Sequence, residues 1–283
     1  MNNIKTALAN GTAALERTSP SARIDAELLL AKVLNKTRTY LYTHPEAQLN
    51  PVEQQQYVDV IKQRELGHPI AHLTQSKEFW SLPLLISQDT LIPRPETELL
   101  VELTLNKLTS NDKAIILDLG TGSGAIALAL ALEHPKWEVY AVDKSQAALT
   151  IARQNASHLH INNVHFNQSN WFESITFPSF DAIVSNPPYI AENDPHLQQG
   201  DVRFEPQDAL VSGKEGLDAI THIIRTARTY LKPNGFLFIE HGFEQQQAVA
   251  ALFHQESYTD IQTWPDWQGN PRVTGGVHRA NDV

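Results

Sequence analysis

Two short stretches of this 283-residue chain carry residue types that can do chemistry. The first is Asn186-Pro187-Pro188-Tyr189, which follows the largely apolar run Phe180-Asp181-Ala182-Ile183-Val184-Ser185. Two successive prolines fix φ twice and delete two backbone N–H donors, so carbonyls in the stretch can face a ligand as uncontested acceptors. Asn186 adds a side-chain oxygen and Tyr189 an aromatic face. That set suits a planar NH₂ group. Asn186 Oδ1 and the Pro187 carbonyl each accept one N–H, while Tyr189 packs on the flat group. An amide or aromatic amine is barely basic, so a general base has little to remove. Catalysis there rests on orientation, with the nitrogen held roughly 3–3.5 Å from the atom it attacks. Asn186, Pro187 and Tyr189 are the expected catalytic residues, and Pro188 completes a substrate-binding segment.

The second stretch is Asp118-Leu119-Gly120-Thr121-Gly122-Ser123-Gly124, between a β-type run and an Ala/Leu-rich helical run. Glycines allow a tight turn and let a ligand approach where a Cβ would intrude. Asp143 lies 23 residues beyond Gly120, near the roughly 20-residue offset of a ribose-binding carboxylate. Gly120-x-Gly122-x-x-Ala125 also satisfies a dinucleotide fingerprint in its Ala variant. The loop therefore points to an adenosine-containing cofactor and leaves nicotinamide dinucleotide and S-adenosylmethionine both open.

The elements that must position these stretches follow from periodicity. Ile4, Ala7, Leu8, Gly11, Ala14 and Leu15 fall at helical spacing. Residues 21–34 form a second candidate helix with Ile24, Leu28 and Ala31 on one face. A third has Asn50 as N-cap, Pro51 at its first position, Glu53 in its first turn and Gly67 past its end. These three helices predict a small bundle. Residues 76–93 read as a strand pair or linker, and Pro95 opens another helix with Glu96 and Glu98 in its first turn. From Lys113 the chain alternates. Strands are expected at 114–119, 138–142, 164–168, 181–185, 236–240, 258–264 and 273–278, with helices at 125–133, 146–159, 217–231 and 244–253. The expected fold class is α/β: a mostly parallel sheet with helices on both faces, after an N-terminal helical domain.

Composition narrows the classes. Without cysteine there is no disulfide scaffold, thiolate zinc site or Cys nucleophile. The net charge of −10 argues against broad, phosphate-driven nucleic-acid binding. Residues 1–75 hold eight basic and seven acidic side chains, so the negative surplus belongs to the remainder. The first twenty residues lack the basic start and apolar core of a secretion signal. The longest apolar run, residues 125–132, is far short of the roughly 20 residues that span a bilayer. A soluble, cytoplasmic protein is expected.

On six stretches the chain resembles the class I S-adenosylmethionine methyltransferases and, more narrowly, the peptide chain release factor N5-glutamine methyltransferases. They are Asp25-Ala26-Glu27-Leu28-Leu29-Leu30; Gly67-x-Pro69-Ile70-Ala71 leading to Glu78-Phe79-Trp80; Ile92-Pro93-Arg94-Pro95-Glu96-Thr97-Glu98; the glycine turn; the Asn186 tetrapeptide; and Asp201-Val202-Arg203-Phe204-Glu205-Pro206. The resemblance implies a Rossmann-like, mostly parallel seven-stranded sheet behind a small helical bundle. It implies S-adenosyl-L-methionine as cofactor and S-adenosyl-L-homocysteine as product, without a metal. Gly120, Thr121, Gly122, Ser123 and Gly124 would cradle the methionine part, Asp143 the ribose and Trp171 the adenine region. Asn186 would stand between cofactor and substrate. The implied substrate is the glutamine of a Gly-Gly-Gln loop in class I release factors. Residues 1–74 would dock the factor, 75–93 form a hairpin or linker, and 94–283 form the catalytic domain. Neither a stable nucleic-acid complex nor a membrane is implied.

Rival readings remain at this level. A ribosomal-protein glutamine is the alternative substrate, although the related enzymes usually carry Pro-Arg-Ser-Pro at the Arg94 stretch. A DNA amino-methyltransferase would need a target-recognition region that the roughly thirty residues after Tyr189 hardly provide. A dehydrogenase would leave the Asn186 stretch without a task, and a non-enzymatic scaffold would bind cofactor without turnover. Trp171, taken locally, is a core aromatic. Arg94 and Glu96 are expected in local ion pairs and loop formation or, alternatively, lining the cofactor entrance; Glu240-His241 as a satisfied strand-end pair or, alternatively, supporting the nearby site; and Arg203 in a substrate contact or loop ion pair.

Overall fold

The capping signals around Asn50 are realised in full. In the computed structural model Asn50 Oδ1 accepts the N–H groups of Val52 and Glu53 at 2.9 Å, and the Glu53 carboxylate accepts the Asn50 N–H at 2.8 Å. The structure describes residues 3–176 and 179–279. The chain divides into two units, Met1–Ser76 with Gln198–Phe204, and Lys77–Leu197 with Glu205–Val283.

Among its described residues the first unit has five helices where three were expected: α1 (Ile4–Leu15), α2 (Ala22–Leu34), α3 (Arg38–Thr43), α4 (Pro51–Glu65) and α5 (Ile70–Thr74). Ile4, Ala7, Leu15, Ala26, Leu29, Leu30, Tyr57 and Ile61 form its core. Of the face expected for α2, Ala31 is buried and Leu28 partly buried, but Ile24 is not. Ile24 is 49% exposed, whereas Asp25 and Glu27 are buried. Ionic partners reverse the periodicity reading. Asp25 accepts from Ser19 at 2.7 Å, Ser21 at 2.9 Å and Arg64 of α4 at 2.7 Å. Glu27 accepts from Arg23 and from Arg38 of α3. A buried carboxylate is tolerated when its lone pairs are filled by charged donors.

The second unit opens with a hairpin, β1 (Ser76–Phe79) and β2 (Leu82–Leu85), turned through Trp80 and Ser81 at positive φ. Helix α6 (Glu98–Lys107) follows a 3₁₀ turn at Pro95–Thr97. The sheet then forms from β3 (Ile115–Leu119), β4 (Glu138–Asp143), β5 (Val164–Gln168), β6 (Phe180–Ser185), β7 (Leu231–Glu240), β8 (Thr259–Pro265) and β9 (Pro271–His278). Its order is β5-β4-β3-β6-β7-β9-β8. The first five are parallel, and β9 and β8 join antiparallel. Helices α7 (Ala125–Glu133), α8 (Gln146–His158), α9 (Asp218–Ala227) and α10 (Gln246–Gln255) link the strands.

The largest boundary difference is at β7, expected only over 236–240 after a helix over 217–231: Lys232-Pro233-Asn234-Gly235 interrupts this strand and does not directly follow a helix. Leu231 pairs with Phe180, and pairing resumes with Phe236 against Ala182. Asn234 at φ 63° makes the excursion, and α9 stops earlier, at Ala227. Strand order reverses at β3, whose neighbours are β4 and β6. Open α/β sheets bind ligands beyond the carboxyl ends of strands at such a reversal.

Candidate active site

Both chemistry-bearing stretches lie at that reversal. Because β3, β4 and β6 are parallel and in register, Leu119 pairs with Val142 and with Ser185. The glycine turn, Asp143 and Asn186 thus emerge from adjacent strands at one edge. They line a cavity of about 920 Å³, with Gly120, Gly122, Asp143, Trp171, Asn186 and Pro188 in its wall.

At Gly122, φ is +56° and a Cβ would meet nothing within 4 Å. The backbone there is open to a ligand. At Gly120 a Cβ would come 3.6 Å from the Trp171 indole, so this ring lies along the turn. Trp171 also packs on the core cluster around Phe172, Phe180 and Ile183. It is core aromatic and cavity wall together. Thr121 and Ser123 are buried. The Thr121 hydroxyl donates to Asp118 Oδ2 at 2.6 Å, and the Ser123 carbonyl accepts from Asn155 at 2.9 Å. The Thr121 side chain and the Ser123 backbone brace the turn from within. Gly124 packs against Leu128 and Ala152, away from the cavity wall.

Asp143 ends β4 with Oδ2 accepting the Gly122 N–H at 2.9 Å and Oδ1 the Ser145 N–H at 2.8 Å. Burial raises its pKa against these stabilising donors. Each oxygen keeps a lone pair for a ribose hydroxyl. Asp118, wholly buried, is pushed up to about 7 by desolvation, and its Oδ1 has no partner.

The corner after β6 is fixed from three sides. Ser185 donates to the Leu119 carbonyl at 2.8 Å, and Ile190 N–H to Leu210 at 2.9 Å. Asn186 Nδ2 donates to Thr97 Oγ1 at 3.1 Å. With Nδ2 committed, Asn186 Oδ1 is the atom left to accept. Pro187 is buried, while Pro188 reaches the cavity. The Tyr189 phenol donates to Glu240 Oε1 at 3.3 Å, and burial raises its pKa. Tyr189 packs on the core cluster.

Thr97, Asn155 and Glu205 escaped the sequence reading as contributors here, whereas Glu240 was singled out, first as a satisfied strand-end group and only second as a support near the site. Glu240 is not the satisfied strand-end group expected: its Oε2 is buried without a hydrogen-bond partner, and desolvation pushes the carboxyl up to about 7. The ion pair expected to be local at Arg94 is long-range. Arg94 binds the buried Glu205, which also accepts the Ile92 N–H at 2.9 Å. Arg203 makes a carbonyl contact with Leu66 at 3.0 Å rather than a loop ion pair. The signal for Glu205 was present in the Phe204-Glu205-Pro206 motif; one acidic residue among 32 carries no mark of burial. Among the described residues no three His, Cys, Asp or Glu side chains gather as metal ligands, and no helix is long and apolar enough to cross a membrane.

Residues 110–270 match the family model described as a methyltransferase domain, and residues 6–74 the one described as a PrmC N-terminal domain. The release factor glutamine methyltransferase of Salmonella typhimurium is 53% identical over 92% of this chain and 94% of its own length. The Escherichia coli protein of the same name is 50% identical over 92% and 94%. A methyltransferase crystal structure from Pyrococcus furiosus superposes with a TM-score of 0.52 over 70% of this chain and 90% of its own, at 16% identity. That similarity confirms the class I methyltransferase fold. The identity and coverage of the relatives go further: the chain belongs to the release factor glutamine methyltransferase family.

Proposed function

We propose that this chain transfers a methyl group from S-adenosyl-L-methionine to the side-chain amide nitrogen of the glutamine in the Gly-Gly-Gln loop of class I peptide chain release factors. The observation that carries the reading is the commitment of Asn186 Nδ2 to Thr97, which leaves Oδ1 as an acceptor at the cavity that holds Gly122 and Asp143. The residues fit the cofactor. Gly122 offers open backbone, Asp143 two half-used carboxylate oxygens, and Trp171 an aromatic wall. When bound, the cofactor supplies an electrophilic methyl carbon and leaves as S-adenosyl-L-homocysteine.

The chain's own part is orientation. Asn186 Oδ1 and the Pro187 carbonyl hold the two amide hydrogens, and the Tyr189 ring and Pro188 confine the plane of the group. Fixing both hydrogens aims the nitrogen at its target, and alignment of this kind removes much of the barrier of a bimolecular step. The N–C bond forms as the methyl–sulfur bond breaks, and the proton then passes from the acidic nitrogen to solvent water. Residues 1–74 act as the docking domain for the factor, 75–93 as the hairpin linker and 94–283 as the catalytic domain. Separate family models for 6–74 and 110–270 support this division. The reading puts the enzyme in the cytoplasm with its translation substrate.

Mass spectrometry of an unmodified release factor incubated with enzyme and methyl donor tests it. The expected result is a gain of one methyl on the loop glutamine, reduced about 100-fold or more in Asn186→Ala. Methylation of a ribosomal protein or of DNA in place of the factor would overturn the substrate. Near-normal turnover in Asn186→Ala would overturn the orientation mechanism.

A further inference from the structure

Asn186 works only if its amide faces the right way. Its oxygen and nitrogen are nearly the same size, and a swap would present two hydrogens to a substrate that also presents two. Its partner, the Thr97 hydroxyl, does not settle the choice, because a hydroxyl both donates and accepts. Something must commit the hydroxyl hydrogen elsewhere.

The structure supplies an acceptor. Thr97 is buried in the 3₁₀ turn before α6, and its oxygen accepts from Asn186. Glu240, at the end of β7, has its charged form favoured by the Thr97 hydroxyl, as a hydroxyl donor to the carboxylate would do. Glu240 Oε1 takes the Tyr189 phenol, and Oε2 is buried with no hydrogen-bond partner. A donor with an uncommitted hydrogen and an acceptor with an empty lone pair are therefore both buried, each bonded to the same Asn186–Tyr189 corner.

We propose that Glu240 and Thr97 are positioning residues. The carboxylate takes the Thr97 hydrogen, Thr97 Oγ1 is left as a pure acceptor for Asn186 Nδ2, and Asn186 Oδ1 is thereby presented to the substrate amide. The proposal rests on the glutamine-methylation reading and deepens it. It gives the Pro95-Glu96-Thr97 turn and the Glu240 strand end a joint role. Buried hydrogen-bond chains of this kind act as a unit, so loss of one member releases the rest.

The arrangement is also a proton-sensitive one. Burial holds the Glu240 carboxyl at about 7, with the Thr97 hydroxyl, Arg272 of β9 and Tyr189 favouring the anion and Glu96 opposing it. His241, next in the chain, is itself pushed down by burial and bonded to Thr274 and Gly242. A protonated Glu240 can donate to Thr97, which then turns its hydrogen toward Asn186 and reverses the amide. Activity is expected to fall as pH drops through about 7.

The test uses the full-length enzyme with unmodified release factor and labelled S-adenosyl-L-methionine. Thr97→Val and Glu240→Gln are expected to lower kcat about 100-fold, with calorimetric affinity for the cofactor and KM for the factor unchanged. Thr97→Ser keeps the hydroxyl and is expected to recover most of the rate. The wild-type acid limb is expected to vanish in Glu240→Gln. Wild-type kcat in Thr97→Val, or an acid limb retained in Glu240→Gln, would overturn the proposal. So would a Thr97→Ser variant as impaired as Thr97→Val. If Thr97→Val does not fold, the Glu240→Gln profile decides. Failure of the wild-type enzyme to methylate the factor while binding cofactor would defeat the parent reading. An active wild type with unaffected variants would defeat this inference alone.

Discussion

Asp143 shows how one side chain can tie a turn together while lining a cavity. Its carboxylate closes the glycine turn onto the next helix by accepting the Gly122 and Ser145 N–H groups, yet stays at the cavity wall. Asp143→Ala removes the proposed ribose acceptor and frees the Gly122 N–H. Losing hydrogen bonds to a charged group costs about 1.5–3 kcal/mol, so cofactor affinity should fall by roughly 10- to 100-fold. Isothermal calorimetry reads that directly, and an unchanged affinity would remove Asp143 from the ribose role. The position of Asp143 was legible because the offset from a glycine turn is set by one helix and one strand. Thr97 was not. A threonine inside Arg94-Pro95-Glu96-Thr97-Glu98 gains its partner Asn186 only across 89 residues.

Among the elements, irregular segments around the sheet edge are held by buried polar side chains. Glu205 ties the stretch before α6 through the Ile92 N–H and the Arg94 guanidinium. Asn155 of α8 bonds to both backbone groups of Leu85 in β2 and to the Ser123 carbonyl in the turn. Such segments bury little apolar area, so these bonds are what orders them. Glu205→Ala leaves a buried N–H and a part-buried guanidinium unpaired and should destabilise the enzyme by about 2–4 kcal/mol. A matching loss in the urea midpoint measures it; an unchanged midpoint would show that the pairing contributes nothing. Helix starts were readable here because capping is local, as the Asn50–Glu53 box demonstrates. The buried face of α2 was not. Periodicity assumes apolar residues point inward, and Asp25 and Glu27 reverse this through Arg64 and Arg38, which arrive from other helices.

For the molecule as a whole, its buried acids set how stability varies with pH. Asp118 and Glu240 are both raised to about 7 by desolvation. Between their unfolded values near 4 and about 7, the folded state binds more protons, so their contribution falls as pH rises through that window. His241 and His278 are lowered by burial, and their contribution is lost as pH falls below about 6.5. Replacing Asp118 isolates the first effect. The melting temperature of Asp118→Asn relative to wild type should climb between about pH 5 and 8; a pH-independent difference would contradict the raised pKa. The order of strands and helices, the glycine turn, its acidic partner and the Asn186 corner were all set by the chain's local pattern, since hydrophobic period, turn residues and proline stereochemistry act over a few residues. Tertiary structure alone decided which acids are buried, and that Thr97 takes the amide nitrogen of Asn186 and leaves its oxygen free. Those outcomes depend on side chains brought together from distant strands, where loss of water, not sequence neighbourhood, governs a polar group's charge and hydrogen bonds.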